Sequence, residues 1–547
     1  MKRKIVGIFV MMLLIAATVI PVVGTMNEIK DIEMSSIDGP TVEWSKTFGG
    51  EEFDNFNTVR PTDDGGYIAC GLTEESDEYF VWLVKVDSDG NEEWSKINYD
   101  LNGTYLTGPA VWIFAFDVIQ TSDGGYLTCG VSMAEDEFQG ETIWGPTGFF
   151  WKTDDVGITE WIMHYYGLEI DEGIYTTFIY NVIEIEDGFV GGGFEILYDP
   201  ELGVIDEDGY IMKTDFSGNL EWDNSFNRCP LDTLSSIFQT SDGGYLLGGC
   251  LNDEKYDGGY ALWMVKTDAN GIMQWDQIFD GPGFEYTYGK GFCETSDGGY
   301  IMNGNSDSYG YGGVDNWIIK TDSSGDMVWN KTFGGTKNDY TWSMCSCGDD
   351  GFIFGVCANY GSFGGTQDDI WIIKTDTDGN ADWKLQIEES GKQITRFVSF
   401  TDDKGVIVAA MTSGFGSRSS DAMLVKVASF ENERPDKAEI DGPSKGKPDK
   451  EYTFTASSSD ADSDSLTYMW DWGDGNFSEW LDDNEAIYTW SYEDNFEVRV
   501  LVKDEHGGES EWSDPLAFST PRNKVINQFN ILFWRILERF PFLKSPF

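Results

Sequence analysis

Histidine is almost missing from this chain: there are two in 547 residues, His164 and His506. With so few, no Cys/His zinc spacing and no metal-binding histidine pair can be assembled. A Gly-x-Ser-x-Gly elbow and a phosphate loop are absent as well, so no motif nominates a catalytic reaction. Basic residues are scarce too, 36 Lys and Arg against 96 Asp and Glu, for a net charge of −60. Such a field repels nucleic acid and anionic lipid and attracts cations, which excludes DNA- or RNA-binding classes. It fits either a solvated acidic surface suited to a saline or acidic habitat, or a surface loaded with Ca²⁺. Long apolar runs are confined to Ile5–Val23, behind the basic start Met1-Lys-Arg-Lys4. Residues 1–24 therefore read as a signal peptide, with Val22 and Gly24 as the small residues of a cleavage site, or as an uncleaved N-terminal anchor. Residues 25–40 form a linker.

Eight cysteines are present. Cys70 and Cys129 each stand three residues after a turn tyrosine inside an apolar strand, which favours buried free thiols. Cys345 and Cys347 before a turn and Cys357 after it leave room for one hairpin disulfide, which export would permit.

What is abundant is repetition. Asp-Gly-Gly-Tyr or related turns stand at Asp64, Asp123, Asp187, Asp242, Asp297, Asp350 and Asp403, with steps of 59, 64, 55, 55, 53 and 53 residues. A fixed period of this size means a repeat architecture. Within 233–279, short apolar strands are separated by Asp242-Gly-Gly-Tyr245, a Gly-rich acidic loop and Asp268-Ala-Asn-Gly271, which gives four strands per unit. A four-stranded antiparallel unit repeated in this way predicts a propeller blade.

The repeat lysine occurs seven times (Lys85, Lys152, Lys213, Lys266, Lys320, Lys374, Lys426), and so does the fourth-strand tryptophan (Trp44, Trp94, Trp161, Trp222, Trp275, Trp329, Trp383). Trp44 precedes the first turn and no tryptophan follows Lys426. The spacing therefore predicts an all-β, seven-bladed β-propeller over 41–428, closed by pairing Val42–Phe48 with Ala422–Val427, so that no sheet edge is left open. Asp87-Ser-Asp-Gly-Asn-Glu-Glu-Trp94 resembles the tryptophan-docking motif of quinoprotein-like and WD40-like propeller repeats. The resemblance implies the fold. The vicinal cysteines and calcium ligands of a quinone site have no counterpart here.

After the polar linker 429–435 the periodicity stops. Tyr468-Met-Trp-Asp-Trp-Gly-Asp-Gly475, Tyr488-Thr-Trp490 and Val498–Asp504 make residues 436–520 similar to the polycystic-kidney-disease (PKD) domain, an immunoglobulin-like sandwich. In that family the module is an extracellular spacer or adhesion element. Ala486, Ile487 and Tyr488 stand where the family commonly has a histidine. Asp460, Asp462 and Asp464 alternate like the start of a calcium loop, and a solvated turn is the other account. The tail, 521–547, carries Arg522, Lys524, Arg535, Arg539 and Lys544 against Glu538, with Phe529, Leu532, Phe533, Ile536, Leu537 and Phe540 at helical spacing. A basic amphipathic helix there suits membrane or envelope contact, or docking on the acidic body of the same molecule.

An element copied into every repeat is architecture, so function is sought where the repeats differ. The stretches 98–112, 134–148, 165–177 and 196–209 are read as long loops. They offer Tyr105, Trp112, Trp144, Tyr166, Asp171, Glu172, Tyr198 and Asp199 as a ligand surface, aromatic rings to stack on sugars and carboxylates to accept hydroxyl hydrogen bonds. Asp54 and Asp339, each four residues after a Gly-Gly pair, are placed at innermost strand starts, where a carboxylate facing the channel would hold a cation. Asn102-Gly-Thr, Asn330-Lys-Thr and Asn476-Phe-Ser are glycosylation signatures. The leading expectation is an exported, cell-surface binding or adhesion protein for a glycan or a surface protein, with the PKD-like domain as spacer. An extracellular glycoside hydrolase or lyase, which needs only two carboxylates, is the alternative; a structural surface-layer component is a weaker one.

Overall fold

The computed structural model describes residues 40–520, apart from 77, 100–112, 139–140, 166–168, 171–172, 200–202, 253–258, 288, 348–350, 359–368, 388–391, 414–419, 431–433, 461–464 and 505–507, together with Arg535. The chain divides into two compact units, 1–430 and 431–547. Among the described residues no helix is long and apolar enough to cross a membrane. The signal or anchor, the first linker and, but for Arg535, the basic tail lie outside the described residues.

The first unit is all-β, a succession of antiparallel sheets of four strands, five in the third and fifth where short strands are added, and in sequence order except in the seventh. The first sheet is Asp54–Pro61, Tyr67–Glu75, Glu78–Val86 and Glu92–Asn98; the second starts at Phe114, the third at Glu169, the fourth at Asp232, the fifth at Glu285 and the sixth at Asp339. The seventh is built from Lys392–Phe400, Val406–Ser413 and Asp421–Val427, with Val42–Phe48 as its fourth strand. The predicted pairing is present in register: Trp44 opposes Lys426, Ser45 opposes Val425 and Phe48 opposes Ala422.

Neighbouring sheets share apolar cores. Ile68, Leu83 and Phe149 join the first to the second, and Leu262, Trp317 and Ile319 join the fourth to the fifth. Phe56, Trp82, Phe397 and Leu424 join the seventh to the first. The residue three before each repeat lysine fills these wedges: Trp82, Phe149, Tyr210, Trp263, Trp317, Trp371 and Met423 are all buried. Burying side chains of this size supplies the main driving force for such a repeat.

The docking tryptophans work between sheets. Six of the seven lie against the turn glycine of the following sheet, where positive φ and the absence of a Cβ are both needed, and Trp383 packs on Phe430 instead. A Cβ on Gly271 would come within 2.5 Å of Trp222, and one on Gly90 within 2.7 Å of Trp44. Trp44, from the seventh sheet, also donates its indole N–H to Ser88 O of the first at 2.9 Å.

The repeat lysines are the second shared device. Lys85 is buried and its ammonium meets Asp64 and Glu93, each at 2.9 Å; Lys320 meets Asp297 at 2.9 Å and Lys426 meets Asp403 at 2.9 Å. The turn carboxylates also accept from a threonine hydroxyl and a glycine N–H, as Asp242 does from Thr240 and Gly244. Bonds from threonine and lysine hold Asp242 and Asp297 at about 2; at Asp64, also about 2, they outweigh the opposing push of burial. Asp54 and Asp339 prove to be architectural as well. They do not line a channel: Asp54 accepts the Gly50 N–H at 2.8 Å, Asp339 that of Gly335 at 2.7 Å, and Asp232 that of Cys229 at 2.9 Å. The carboxylate is turned back to pin the incoming chain, which corrects the channel reading.

The eight cysteines are free thiols. Burial raises the Cys70, Cys129 and Cys345 thiols, so these are inert core residues, and the hairpin disulfide is not formed.

The second unit pairs two three-stranded sheets. One is Glu439–Asp441, Tyr452–Ser457 and Glu485–Tyr488; the other is Thr467–Asp471, Asn495–Lys503 and Leu516–Ser519. Trp470, Trp472 and Trp490 fill the core, with Trp490 stacked on Phe518 at 4.4 Å. Tyr488, the departure from the family's usual histidine, donates its hydroxyl to Asp474 at 2.9 Å and so ties down the Gly-Asp-Gly turn.

Candidate functional site

The expected ligand surface is only partly within view. Tyr105, Trp112, Tyr166, Asp171 and Glu172 lie outside the described residues. The stretches holding Trp144, Tyr198 and Asp199 are hairpins, not loops. Tyr126–Phe138 pairs with Glu141–Thr153 up to Phe138 opposite Glu141, which puts Trp144 opposite Glu135. Gly188–Asp199 pairs with Gly203–Thr214, with Tyr198 opposite Val204 and Asp199 opposite Gly203. These strands run 12 or 13 residues where the corresponding strands of the first and fourth sheets have 8 or 9. Runs such as Phe194-Glu-Ile-Leu-Tyr198 carry strand-forming residues past the length of the corresponding strands elsewhere, and their partners continue opposite them. Asp462 and Asp464 are outside the described residues. Asp460 is half-buried, and among the described residues no three His, Cys, Asp or Glu side chains gather to hold a metal ion.

A different group of residues sets the repeats apart. In six of the seven first strands the pairing slips by one, which leaves Asn57, Phe116, Tyr180, Ser235, Trp342 and Arg396 as the extra residue of a β-bulge. In the fifth sheet the first strand is broken, and Lys290 stands in the same place, seven residues before Asp297 as Asn57 is before Asp64 and Arg396 before Asp403. A bulge re-aims one side chain out of the ladder, and bulges concentrate beside active sites.

The bulge residues touch neighbouring first strands in succession. Asn57 donates to Ala115 O at 2.7 Å, Phe116 stacks on Tyr180 at 4.0 Å, and Ser235 donates to Gly289 O at 3.3 Å. Lys290 N–H donates to Trp342 O at 2.9 Å, and the Arg396 guanidinium lies 4.9 Å from the Trp342 ring centre. Shared scaffold residues are uniform from sheet to sheet, but this position is Asn, Phe, Tyr, Ser, Lys, Trp and Arg in turn.

At its heart is a buried ion cluster. Asp117 is fully buried and receives Arg60 at 3.1 Å and Lys290 at 2.6 Å, with Asn181 donating as well. Lys290 also donates to Thr58 Oγ1 and Phe116 O, both at 2.9 Å. Arg60 and Lys290 both sit over the Phe397 ring, at 5.2 and 5.3 Å. Burial opposes ionisation of Asp117, but the two cations outweigh it and hold its carboxyl below the usual range; burial lowers Lys290. Arg60 and Lys290 thus converge on the carboxylate of Asp117, while Arg396 lies against the Trp342 ring.

Carboxyls with raised pKa values lie in the third and fifth sheets. Burial first, then Asp206, pushes Glu207 and Asp208 up to about 7, and burial pushes Asp315 up to about 8. Glu195, opposite Asp208 across the strand pair, is also raised by burial. These groups are less than a tenth exposed, so the shifts bear on stability. A carboxyl that keeps its proton in the fold but would lose it when unfolded removes stability as pH rises between the two values. The turn aspartates act oppositely, losing stability as pH falls from 3.8 towards 2. Thermal melts from pH 3 to 9 are therefore expected to peak near pH 4 and fall up to about pH 8, with a limiting slope of about 1.4 kcal/mol per pH unit for each raised group. Asp315→Asn should flatten the alkaline arm; a flat wild-type profile from pH 4 to 8 would contradict the assignment.

His164 lies 3.1 Å from Ser132 Oγ by its Nδ1, and burial lowers its pKa. Ser132 is fully buried and His164 half-buried, and the contact satisfies both side chains.

Residues 432–518 match the PKD domain family, which confirms the second unit. Among solved structures, the PKD domain of an M14-like peptidase from Thermoplasmatales archaeon SCGC AB-540-F20 is similar at 31% identity, covering 17% of this chain and all of that one, with a TM-score of 0.16. The extracellular domain of the putative one-component system BT4673 from B. thetaiotaomicron is 12% identical, covers 84% of this chain and 80% of its own, and has a TM-score of 0.21. Sucrose-6-phosphate hydrolase from Lactobacillus gasseri is 10% identical, covers 70% and 93%, and has a TM-score of 0.29. A comparison with curated proteins returns no match.

Proposed function

We propose that residues 41–428 form a closed seven-bladed β-propeller of an exported, cell-surface protein that binds a glycan or a protein ligand, with the PKD domain as spacer. The observation that carries this reading is the split between uniform and divergent positions. The Lys–Asp turns and docking tryptophans are alike from sheet to sheet, whereas the bulge residues and the lengthened hairpins of the second and third sheets differ and are rich in aromatic side chains. Aromatic rings beside hydrogen-bonding groups are the usual means of holding a sugar or a peptide. The N-terminal apolar segment and the PKD domain support the extracellular setting.

Trp112→Ala and Trp144→Ala are expected to weaken binding on a glycan array or in a cell-surface pull-down by about tenfold or more, with unchanged melting temperature. An array and a pull-down that both come back empty would overturn the proposal. A carbohydrate-active enzyme is a second reading, favoured by the opposed carboxyls Glu195 and Asp208. Turnover on a polysaccharide panel that Glu195→Gln abolishes would decide for it.

A further inference from the structure

We propose that Arg396, resting on Trp342, recognises the carboxylate of an acidic sugar or a similarly sized ring-bearing organic acid. This rests on the binding reading above and deepens it. Three arginines lie among the described residues of the first unit. Arg60 meets Asp117 at 3.1 Å and Arg228 meets Asp276 at 3.4 Å. Arg396 meets no carboxylate among the described residues. One terminal nitrogen lies 3.6 Å from Met411 Sδ, its guanidinium lies over Trp342, and its buried Nε has no hydrogen-bond partner among the described residues.

An arginine without a carboxylate is unexpected in a chain with 96 acids, and a buried guanidinium nitrogen left unbonded is costly. The planar fork, held 4.9 Å over an indole ring, is pre-organised to take a carboxylate through two parallel hydrogen bonds. Its placement at a bulge explains the geometry, because the bulge turns the side chain out of the ladder. Gln393, three residues earlier in the same strand and fully buried, likewise has neither amide atom bonded. Trp342 beside it supplies a ring surface, which points to a ring-bearing acid rather than a bare anion.

The test is calorimetry on the full chain with sodium glucuronate, glucose and sodium sulfate at matched ionic strength. Glucuronate should bind saturably and glucose should give no heat. Arg396→Gln should weaken glucuronate about tenfold or more, the loss of one charge-assisted bidentate contact. Arg396→Lys should fall between the two, and all three chains should melt within a few degrees of one another. Equal binding of glucuronate and glucose, no binding of either, or unchanged affinity in Arg396→Gln would overturn the inference. Sulfate displacing glucuronate with equal affinity would also overturn it, in favour of an unspecific anion site. Neutral glycans bound on the array and unaffected by Arg396→Gln would sink this inference and leave the binding function standing; an empty array and an empty pull-down would sink both.

Discussion

Asp117→Ala is expected to cost about 3–5 kcal/mol of folding free energy, read as a shifted midpoint in urea unfolding with little change in slope. The carboxylate is fully buried and, among the described residues, is the only anion that pairs with Arg60 and Lys290, so its removal strands two cations in a poorly solvated place. The same substitution at a turn makes the contrast. Asp64 also bonds a buried lysine, but its side chain is 57% exposed and Lys85 keeps Glu93, so Asp64→Ala should cost about 1 kcal/mol or less. If the two variants are equally destabilised, the ion cluster is no more than another surface pair. Replacing the cluster as a whole supplies a second check. Asp117→Leu combined with Lys290→Met and Arg60→Leu should recover much of the loss, because apolar replacements of a complete buried ion group are often neutral or stabilising. The penalty therefore lies in breaking the group, and its presence in the first strands is better explained by orientation. It fixes where Lys290 and the broken first strand of the fifth sheet sit against the first and second sheets.

Most of the scaffold was legible in the sequence because it repeats. Seven lysines, seven tryptophans and a period near 55 residues announce a four-stranded unit, and the offset of Trp44 from Lys426 announces which strand is borrowed. The ligand side was harder to see. Residues 134–148 and 196–209 look like acidic loops because Glu, Asp and Gly interrupt them, yet cross-strand partners carry the ladder through; pairing of that kind is a property of two segments and invisible in one. Asp54 and Asp339 looked like channel acids until their bonds to Gly50 and Gly335 showed the same turn in both. The bulge residues were missed altogether. One signal could have found them: at the position seven before the turn aspartate, the repeats hold Asn57, Phe116, Tyr180, Ser235, Lys290 and Arg396, the most varied column within otherwise similar strands. A strand of ordinary length hides a one-residue slip, so periodicity alone gives no warning of it.

A chain beginning at residue 50 should fail to give a stable monomer at 37 °C, although it lacks only a peripheral strand of seven residues. Without Val42–Phe48, the Asp421–Val427 strand of the seventh sheet presents an unpaired edge, a template for association with other chains. The first sheet loses support at the same time. Trp44 no longer covers Gly90 or meets the Tyr67 ring, and Phe48 leaves Phe56, its neighbour at 5.6 Å. Within the seventh sheet the third and fourth strands, Asp421–Val427 and Val42–Phe48, are joined by hydrogen bonds alone, where the other sheets join theirs through a hairpin, so this pairing takes the part that covalent continuity plays elsewhere. The effect should be reversible in trans. A synthetic peptide spanning 40–49, added in excess, should restore a monomeric species by light scattering and raise the melting temperature towards that of the longer chain by mass action. Peptides with Trp44→Ala or Phe48→Ala should restore less, in proportion to the apolar surface they no longer cover. A truncated chain that stays monomeric and melts with the intact one would show that the first and seventh sheets hold together without the strand, and closure by Val42–Phe48 would then be dispensable.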